Sequence, residues 1–384
     1  MVYMNGKNNL EYTTVRDIND AESAGSGDKV HMVVECGRIK GNGRNGDSVA
    51  QGDWGGVRRY YIEKDSTRRK TNSRIMLNRA AADMGDWHEL SEFIRWTKAN
   101  YPAEKYFLSI WNHGYGWKPV DDANSHAMKP RRVRGISSDD QTGNEISTQD
   151  MARALARAGG VDVLAYDACL MQGVETAYEV RKHADFVVGS EAMEPGSIQH
   201  YGKLLAYLKD SPRAEAGSTA DKWVELYKDF FTSGNAAKRR KKTEGIVVTH
   251  SAIKSEKLER FTELLEAWIK LALGHWDGSA MAKGKKKAKA YEDREYKDLV
   301  DFVSIVGAAH SSPSVKAAGE ELIAFAKEEM ISSNWSRSKR SHGMTIYVPR
   351  RKYSPLYDTL AFSRQGSWPE LARKLAAVDI DLPE

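Results

Sequence analysis

Thiols are scarce in this sequence: among its 384 residues only Cys36 and Cys169 carry one. Two cysteines so far apart give no disulfide framework and no metal site built on thiolates. Long apolar runs are missing too. None approaches the ~18 residues that a spanning helix needs, so no membrane partner is expected. The start, MVYMNGKNNLEY, has no basic stretch leading into an apolar one, so no signal peptide is legible there, and it reads as the end of a strand. Charge of one sign is also lacking. The 58 Lys and Arg against 53 Asp and Glu leave a net +5, too small a surplus to imply nucleic acid. What remains is a chain with 41% hydrophobic and 9% aromatic residues, long enough for one large domain or two medium ones.

The first two-thirds alternate strand-like and helix-like stretches. VHMVVE (30–35) and VRRYYIE (57–63) read as strands. DWHELSEFIRWTKAN (86–100) sets Trp87, Leu90, Phe93, Ile94 and Trp96 on one helical face, with Asp86 as a cap and Pro102 beyond the end. KYFLSIW (105–111) is a strand. STQDMARALARAGG (147–160) is a helix with a capping-box-like Ser147…Asp150 start and a Gly159-Gly160 stop. VDVLAYD (161–167) is a nearly continuous apolar strand of the kind covered on both faces, VETAYEVRKHA (174–184) a helix, and DFVVGSE (185–191) a further strand. The order β-α-β-α-β predicts a mostly parallel sheet with helices on both faces. Beyond about residue 215 the texture changes to helical patterns at 221–232, 254–273 and 314–330, with strands at 245–250 and 342–349. The expected organisation is a domain at 1–215 and a mixed helical extension at 216–384 packed on it.

In such sheets function gathers beyond the carboxyl ends of the strands. Three strands deliver polar groups there: His113 after 105–111, Asp167 and Cys169 after 161–167, and Ser190-Glu191 after 185–191. A thiol and an imidazole on adjacent strand ends form a nucleophile and its base, because the thiol reacts only once deprotonated. The helix starting near residue 173 is expected to favour negative charge at Cys169. Backbone N–H groups of Gly114 and Cys169 could point at a developing oxyanion, and the bare Gly114 would let substrate come close. Each residue also has a plainer reading, a satisfied structural histidine and a small buried hydrophobe. The residues alone leave the two readings even.

The segments NHGYGW (112–117) and YDACLMQGVETAYEV (166–180) resemble the clostripain family of cysteine peptidases, related in fold to caspases, gingipains and legumains. The similarity runs on through VYMNGKNNLE (2–11), GDWHELSEFIRWTKANYPAEKYFLSIW (85–111), GSEAMEPGS (189–197), YKDLVDFV (296–303) and HGMTIYVP (342–349), in the family's order. The resemblance implies a caspase-like α/β sandwich at 1–215 and a cysteine endopeptidase with His113 as catalytic histidine and Cys169 as nucleophile. Such a dyad, with no obligatory third residue, works through a thioester acyl-enzyme. It also implies cleavage after Arg or Lys, with Asp167 in the pocket for the basic side chain and Ser190, Glu191 and Ser197 around it. A buried guanidinium needs a carboxylate partner. Ser197 stands where family members often carry a second acid, and Glu191 and Glu194 are the carboxylates placed to compensate. That departure keeps open a peptidase of altered specificity. The rival from another class is a non-catalytic basic binding protein, against which the intact His113 and Cys169 argue.

Residues 118–140 make a long loop between the two motifs. The resemblance implies maturation by cleavage there, with Lys129, Arg131, Arg132 and Arg134 as candidate sites; a solvated basic loop is the other reading. No cofactor is required by the sequence. Calcium occurs in the family, and Asp121-Asp122 or Asp139-Asp140 could supply ligands, though neither pair has the spacing of a defined calcium loop. The basic runs 238–242 and 283–290 read as solvated loops, and His342-Gly343 as structural. The expected partners are peptides or proteins with Arg or Lys at the cleavage point, and the resemblance implies a secreted or periplasmic setting. Oligomeric state is not legible.

Overall fold

The computed structural model describes residues 1–40, 52–67, 70–118, 135–195, 200–233 and 245–378. Among them the strands are β1 (Val2–Gly6), β2 (Val33–Arg38), β3 (Gly56–Tyr61), β4 (Arg74–Arg79), β5 (Phe107–Trp111), β6 (Ile136–Asp139), β7 (Asn144–Ile146), β8 (Val161–Asp167), β9 (Ala184–Gly189), β10 (Thr249–Lys254), β11 (Tyr296–Asp298), β12 (Ile331–Ser336) and β13 (Thr345–Tyr347). Nine of them form one sheet in the order β12-β10-β9-β8-β5-β1-β2-β3-β4. Its centre, from β9 to β2, is parallel. Both margins are antiparallel, with β10 and β12 beyond β9 and β3 and β4 beyond β2.

Parallel neighbours need crossovers, and helices supply them. The first six are α1 (Glu11–Glu22), α2 (Trp87–Asn100), α3 (Thr148–Arg157), α4 (Val174–Val180), α5 (Tyr201–Asp210) and α6 (Ala216–Thr232). The caps fall where the sequence put them. The Asp86 carboxylate accepts from the His88 N–H at 2.9 Å, and the Ser147 hydroxyl accepts from the Asp150 N–H at 3.0 Å. Asp150 then takes the Ser147 hydroxyl proton rather than the backbone N–H that a full capping box would use.

Strand periodicity sorts side chains into two cores. Tyr3, Leu108, Leu164 and Tyr166 join Phe93 of α2, Leu155 of α3 and Tyr178 of α4. Val2, Met4, Val163 and Ala165 face the other way, against Ile18 of α1, Leu204 of α5 and Trp223 of α6. Each large apolar side chain so buried contributes roughly 1.5–3 kcal/mol. The sheet is therefore covered on both faces, as the near-continuous apolar run 161–167 predicts.

After residue 215 the sequence reading needs correction. The strand expected at 245–250 lies at Thr249–Lys254, because Val248 packs on Tyr227 and Phe231 instead of entering the ladder. β10 and β12 belong to this later part yet extend the main sheet past β9. The basic run 283–290 is largely helical, within Gly278–Lys287, and Lys285 in it is buried. Its ammonium donates to the carbonyls of Leu375 at 2.6 Å and Val378 at 2.9 Å, closing the helix Trp368–Ala377. One face of that run is thus a helix cap rather than a solvated loop. The other run, 238–242, lies outside the described residues.

Truncating Lys285→Ala leaves those carbonyls without their charged donor. Charge-assisted bonds of this kind contribute about 1.5–3 kcal/mol, so urea unfolding of the variant is expected to show a loss of roughly that size. A midpoint equal to that of the parent chain would mean the cap carries no stability.

Candidate functional site

The site begins with strand register. β5 and β8 pair in parallel with Trp111 opposite Asp167, so both strands stop at the same level. Two residues further on each chain stand His113 and Cys169, and the Asn112 N–H still reaches the Asp167 carbonyl at 3.3 Å. The two loops then touch through backbone. A Cβ on Gly114 would strike the Cys169 carbonyl, the Met171 side chain and Ala168. Gly114 was expected to stay bare for a substrate; its open side is instead filled by the nucleophile's own turn. The following residues divide. Tyr115 lines the cavity described next, whereas Trp117 turns inward, edge-on to Tyr347 and Tyr357 with ring centroids 5.1 and 5.0 Å away.

His113, Gly114, Asp167, Cys169 and Glu194 all line one cavity of about 1630 Å³. Ser190 and Glu191 do not. The Ser190 hydroxyl donates to the Ala192 carbonyl, and the buried Glu191 carboxylate accepts from the Gly343 N–H at 3.2 Å. The position of these two after a strand end was legible, but both face inward beneath the turn. Ser197 and the loop residues Lys129, Arg131, Arg132 and Arg134 lie outside the described residues. The cavity's far wall comes from residues 347–356 and 292–295, so the chain beyond 215 helps to build it.

His113 Nε2 is 2.6 Å from Asn9 Oδ1. An amide oxygen only accepts, so Nε2 donates and the lone pair of the neutral ring sits on Nδ1. Asn9 lies in the loop between β1 and α1, which the sequence reading passed over. Its cue was the polar run NGKNN directly after a strand.

Cys169 Sγ accepts from the Glu194 N–H at 3.2 Å. Burial first, then the negative charges of Glu194 and Glu292, push the thiol up to about 12. The helix expected near residue 173 starts at Val174 with Gly173 at its N-cap, and its first-turn acid, Glu175, is buried against the Tyr347 N–H and the Tyr357 hydroxyl. Cys169 therefore rests as a thiol, not a thiolate. Its turn is held by Leu170 at φ 59°, a left-handed conformation that is strained for leucine.

Below the thiol lies a group of acids. Asp167 accepts from the Tyr201 hydroxyl at 2.7 Å, and that hydroxyl is 2.9 Å from Ser109 Oγ. Burial and the neighbouring Glu194 raise Asp167 well above the usual carboxylate range, and burial raises Glu194 likewise. Both carboxyls are thereby biased towards the protonated form. Behind them, His250 Nε2 accepts from the Trp223 indole N–H at 3.0 Å, so its ring proton is on Nδ1, 3.1 Å from Glu194 Oε1. Burial pulls His250 down to about 3, so the ring is neutral. Asp17 adds a third acid nearby, bonded to the Trp111 indole at 3.0 Å and raised by burial to about 7. Of the two acids considered for the place of Ser197, Glu194 is the one beside Asp167.

Among the described residues no three His, Cys, Asp or Glu side chains converge on a common point. Asp139, a candidate calcium ligand, instead holds the Lys7 ammonium at 2.8 Å and the Met84 N–H at 3.1 Å. Asp121 and Asp122 lie outside the described residues. His342 bonds Asp298 at 2.9 Å, away from any thiol, as a structural His-Gly pair would. No helix among the described residues is long and apolar enough to cross a membrane.

Known proteins place this arrangement. Clostripain of Hathewaya histolytica is 28% identical over 225 residues, which is 54% of this chain. The match spans only 41% of clostripain's own length. An inactive zymogen C11 protease from Parabacteroides distasonis superposes with a TM-score of 0.66 at 17% identity, covering 94% of this chain and 96% of its own. A secreted C11 cysteine protease from Bacteroides thetaiotaomicron, solved with an irreversible peptide inhibitor, gives 0.63 at 19% identity and 98% coverage of both. At such identities these two show a shared fold, the caspase-like α/β sandwich. The sequence model of the clostripain family matches residues 2–377, nearly the whole chain. The chain belongs to the clostripain family of cysteine peptidases.

Proposed function

We propose that this chain is an endopeptidase that cleaves after Arg or Lys, with Cys169 as nucleophile and His113 as its base. The observation that carries the reading is one cavity holding Cys169, His113 and the Asp167–Glu194 carboxyl pair. His113 Nδ1 takes the thiol proton as Sγ attacks the scissile carbonyl. The N–H groups of Gly114 and Cys169 face the oxygen that becomes negative. The proton passes to the leaving amine, the peptide bond breaks, and a thioester remains. Water, deprotonated by the same imidazole, releases the acid and restores the thiol. A thiol held near 12 fits this sequence, since the proton then moves during attack rather than before it.

The carboxyl pair supports the choice of substrate. A cationic side chain reaching Asp167 and Glu194 offsets buried negative charge there and favours the ionised carboxyls. Self-cleavage in the 118–140 loop belongs to the same proposal. Of the described residues there, Lys118 lines the cavity and the Gly135 carbonyl accepts from the N–H of Tyr115, a lining residue, at 3.0 Å. A secreted or periplasmic location is also part of it, supported by the description of the Bacteroides thetaiotaomicron protease as secreted.

A peptide library varied at P1 tests the reaction and the pocket together. Wild type is expected to select Arg and Lys, Cys169→Ala to lose at least about 10³-fold in turnover, and Asp167→Asn to lose roughly 10²-fold or more for basic P1 only. Equal turnover of basic and neutral P1 residues would dismiss the pocket assignment.

The raised carboxyls give a pH sign. In the free protein burial favours the protonated carboxyls, and a cationic ligand favours the ionised ones. Benzamidine is therefore expected to bind more tightly as pH rises towards the pair's titration, with proton release seen by calorimetry in buffers of different ionisation heat. Affinity that is flat with pH, with no proton released, would contradict carboxyls raised in the free protein.

Incubating wild type beside Cys169→Ala addresses maturation. Wild type is expected to yield two fragments whose masses place the cut after Lys129, Arg131, Arg132 or Arg134, and the variant to remain whole. Identical banding from both would exclude self-cleavage.

A further inference from the structure

The cavity has a second charged region, unrelated to the acids beneath Cys169. Following β13, the segment from Arg350 to Leu356 forms one of its walls, with Arg294 beside it. Arg294, Arg351 and Lys352 are exposed and Arg350 is partly so. None of these four side chains has a carboxylate within ion-pair distance among the described residues, although acids stand close by in the sequence. Those acids are already engaged. Asp293 and Glu295 both hold Lys118, Glu295 also accepts from the Arg350 N–H at 2.7 Å, and Glu292 accepts from the Met193 N–H at 2.9 Å. The crowding of positive charge shows in the buried Lys297, which burial, then Arg350, Arg294 and Arg340, pull down to about 8.

The same cavity is unusually apolar at its surface. Five large hydrophobic side chains are exposed on the described residues, and three of them, Tyr12, Met193 and Leu356, line it. Its volume of about 1630 Å³ exceeds the ~300–1,000 Å³ typical of small-molecule pockets. A cavity this large, with apolar walls and charges of opposite sign in different regions, fits several residues of an extended peptide.

We propose that Arg351 and Lys352, with Arg294, form a subsite for an acidic side chain of the substrate, distinct from the Asp167–Glu194 pocket. The inference rests on the peptidase reading and extends it. Preferred substrates then carry a basic residue at the cleavage point and a Glu or Asp elsewhere in the bound stretch. Because the two charged regions have opposite sign, such a peptide is attracted in one direction of the chain and repelled in the other.

The test uses internally quenched octapeptides with Arg fixed at P1 and Glu or Gln at each other position in turn. Wild type and the double variant Arg351→Glu, Lys352→Glu are compared by the Glu/Gln ratio of kcat/KM, a ratio taken within one preparation so that losses in folding cancel. Wild type is expected to favour Glu at one position by roughly 5-fold at low salt, with the preference fading as salt is raised. The double variant is expected to lose or invert it. The salt series on wild type needs no variant and reads the same attraction. A ratio near one at every position overturns the proposal, as does a preference that survives charge reversal. If Arg at P1 is refused and another residue accepted, the P1 reading fails by itself. The same Glu/Gln scan on the accepted residue then still decides the subsite.

Discussion

Everything at this site depends on the parallel pairing of β5 with β8 in the register that sets Trp111 against Asp167. In a sheet, a slip of one residue sends every side chain to the opposite face. Here it would exchange the core assignments of Leu164 and Val163, so the two hydrophobic clusters lock the register from both sides. The geometry of the strand ends and core packing are therefore one constraint. The turn residues only complete what the register begins: Gly114 admits the Cys169 carbonyl, and Leu170 accepts a left-handed backbone to turn the chain away.

The electrostatics follow from where that register ends. Asp167 is the last residue of a strand covered on both faces, so its carboxyl arrives in a poorly solvated place. It is held there by Tyr201 and paired with Glu194. The Glu194 backbone also donates to Cys169 Sγ, so one short segment touches both the nucleophile and the acid floor. Under the proposed reading, a cation arriving on that floor cancels the charge that opposes thiolate formation directly above it. Recognition and activation then act through the same residue.

Much of this was legible before any coordinates. Continuous apolar strands, capped helices and the polar residues at strand ends lead to His113, Asp167 and Cys169 by position alone, and the family resemblance supplies their roles. What escaped the sequence was chiefly what depends on burial. Ser190 and Glu191 end a strand as convincingly as Asp167 does, yet they face inward, and no local pattern distinguishes the cases. The desolvation that raises the Cys169 thiol is likewise set by burial, which its place after a strand does not reveal. Lys285 looked like any member of a basic run, and only the distant end of the chain reveals its two carbonyl partners. Asn9 sits in a turn whose partner lies on another strand, a separation that periodicity cannot bridge.

The walls of the cavity come from widely separated parts of the chain, and this has a temporal consequence. His113 and Cys169 leave the ribosome before the wall at 347–356, which emerges well over a hundred residues later. At ordinary synthesis rates of ~5–20 residues per second, that interval lasts on the order of ten seconds or more. During it, Glu175 lacks Tyr347 and Tyr357, Trp117 lacks the rings it packs against, and the cavity has only one side. A nascent chain thus carries His113 and Cys169 before the cavity around them is complete. The order of the segments along the chain makes closing that cavity a late step in its assembly.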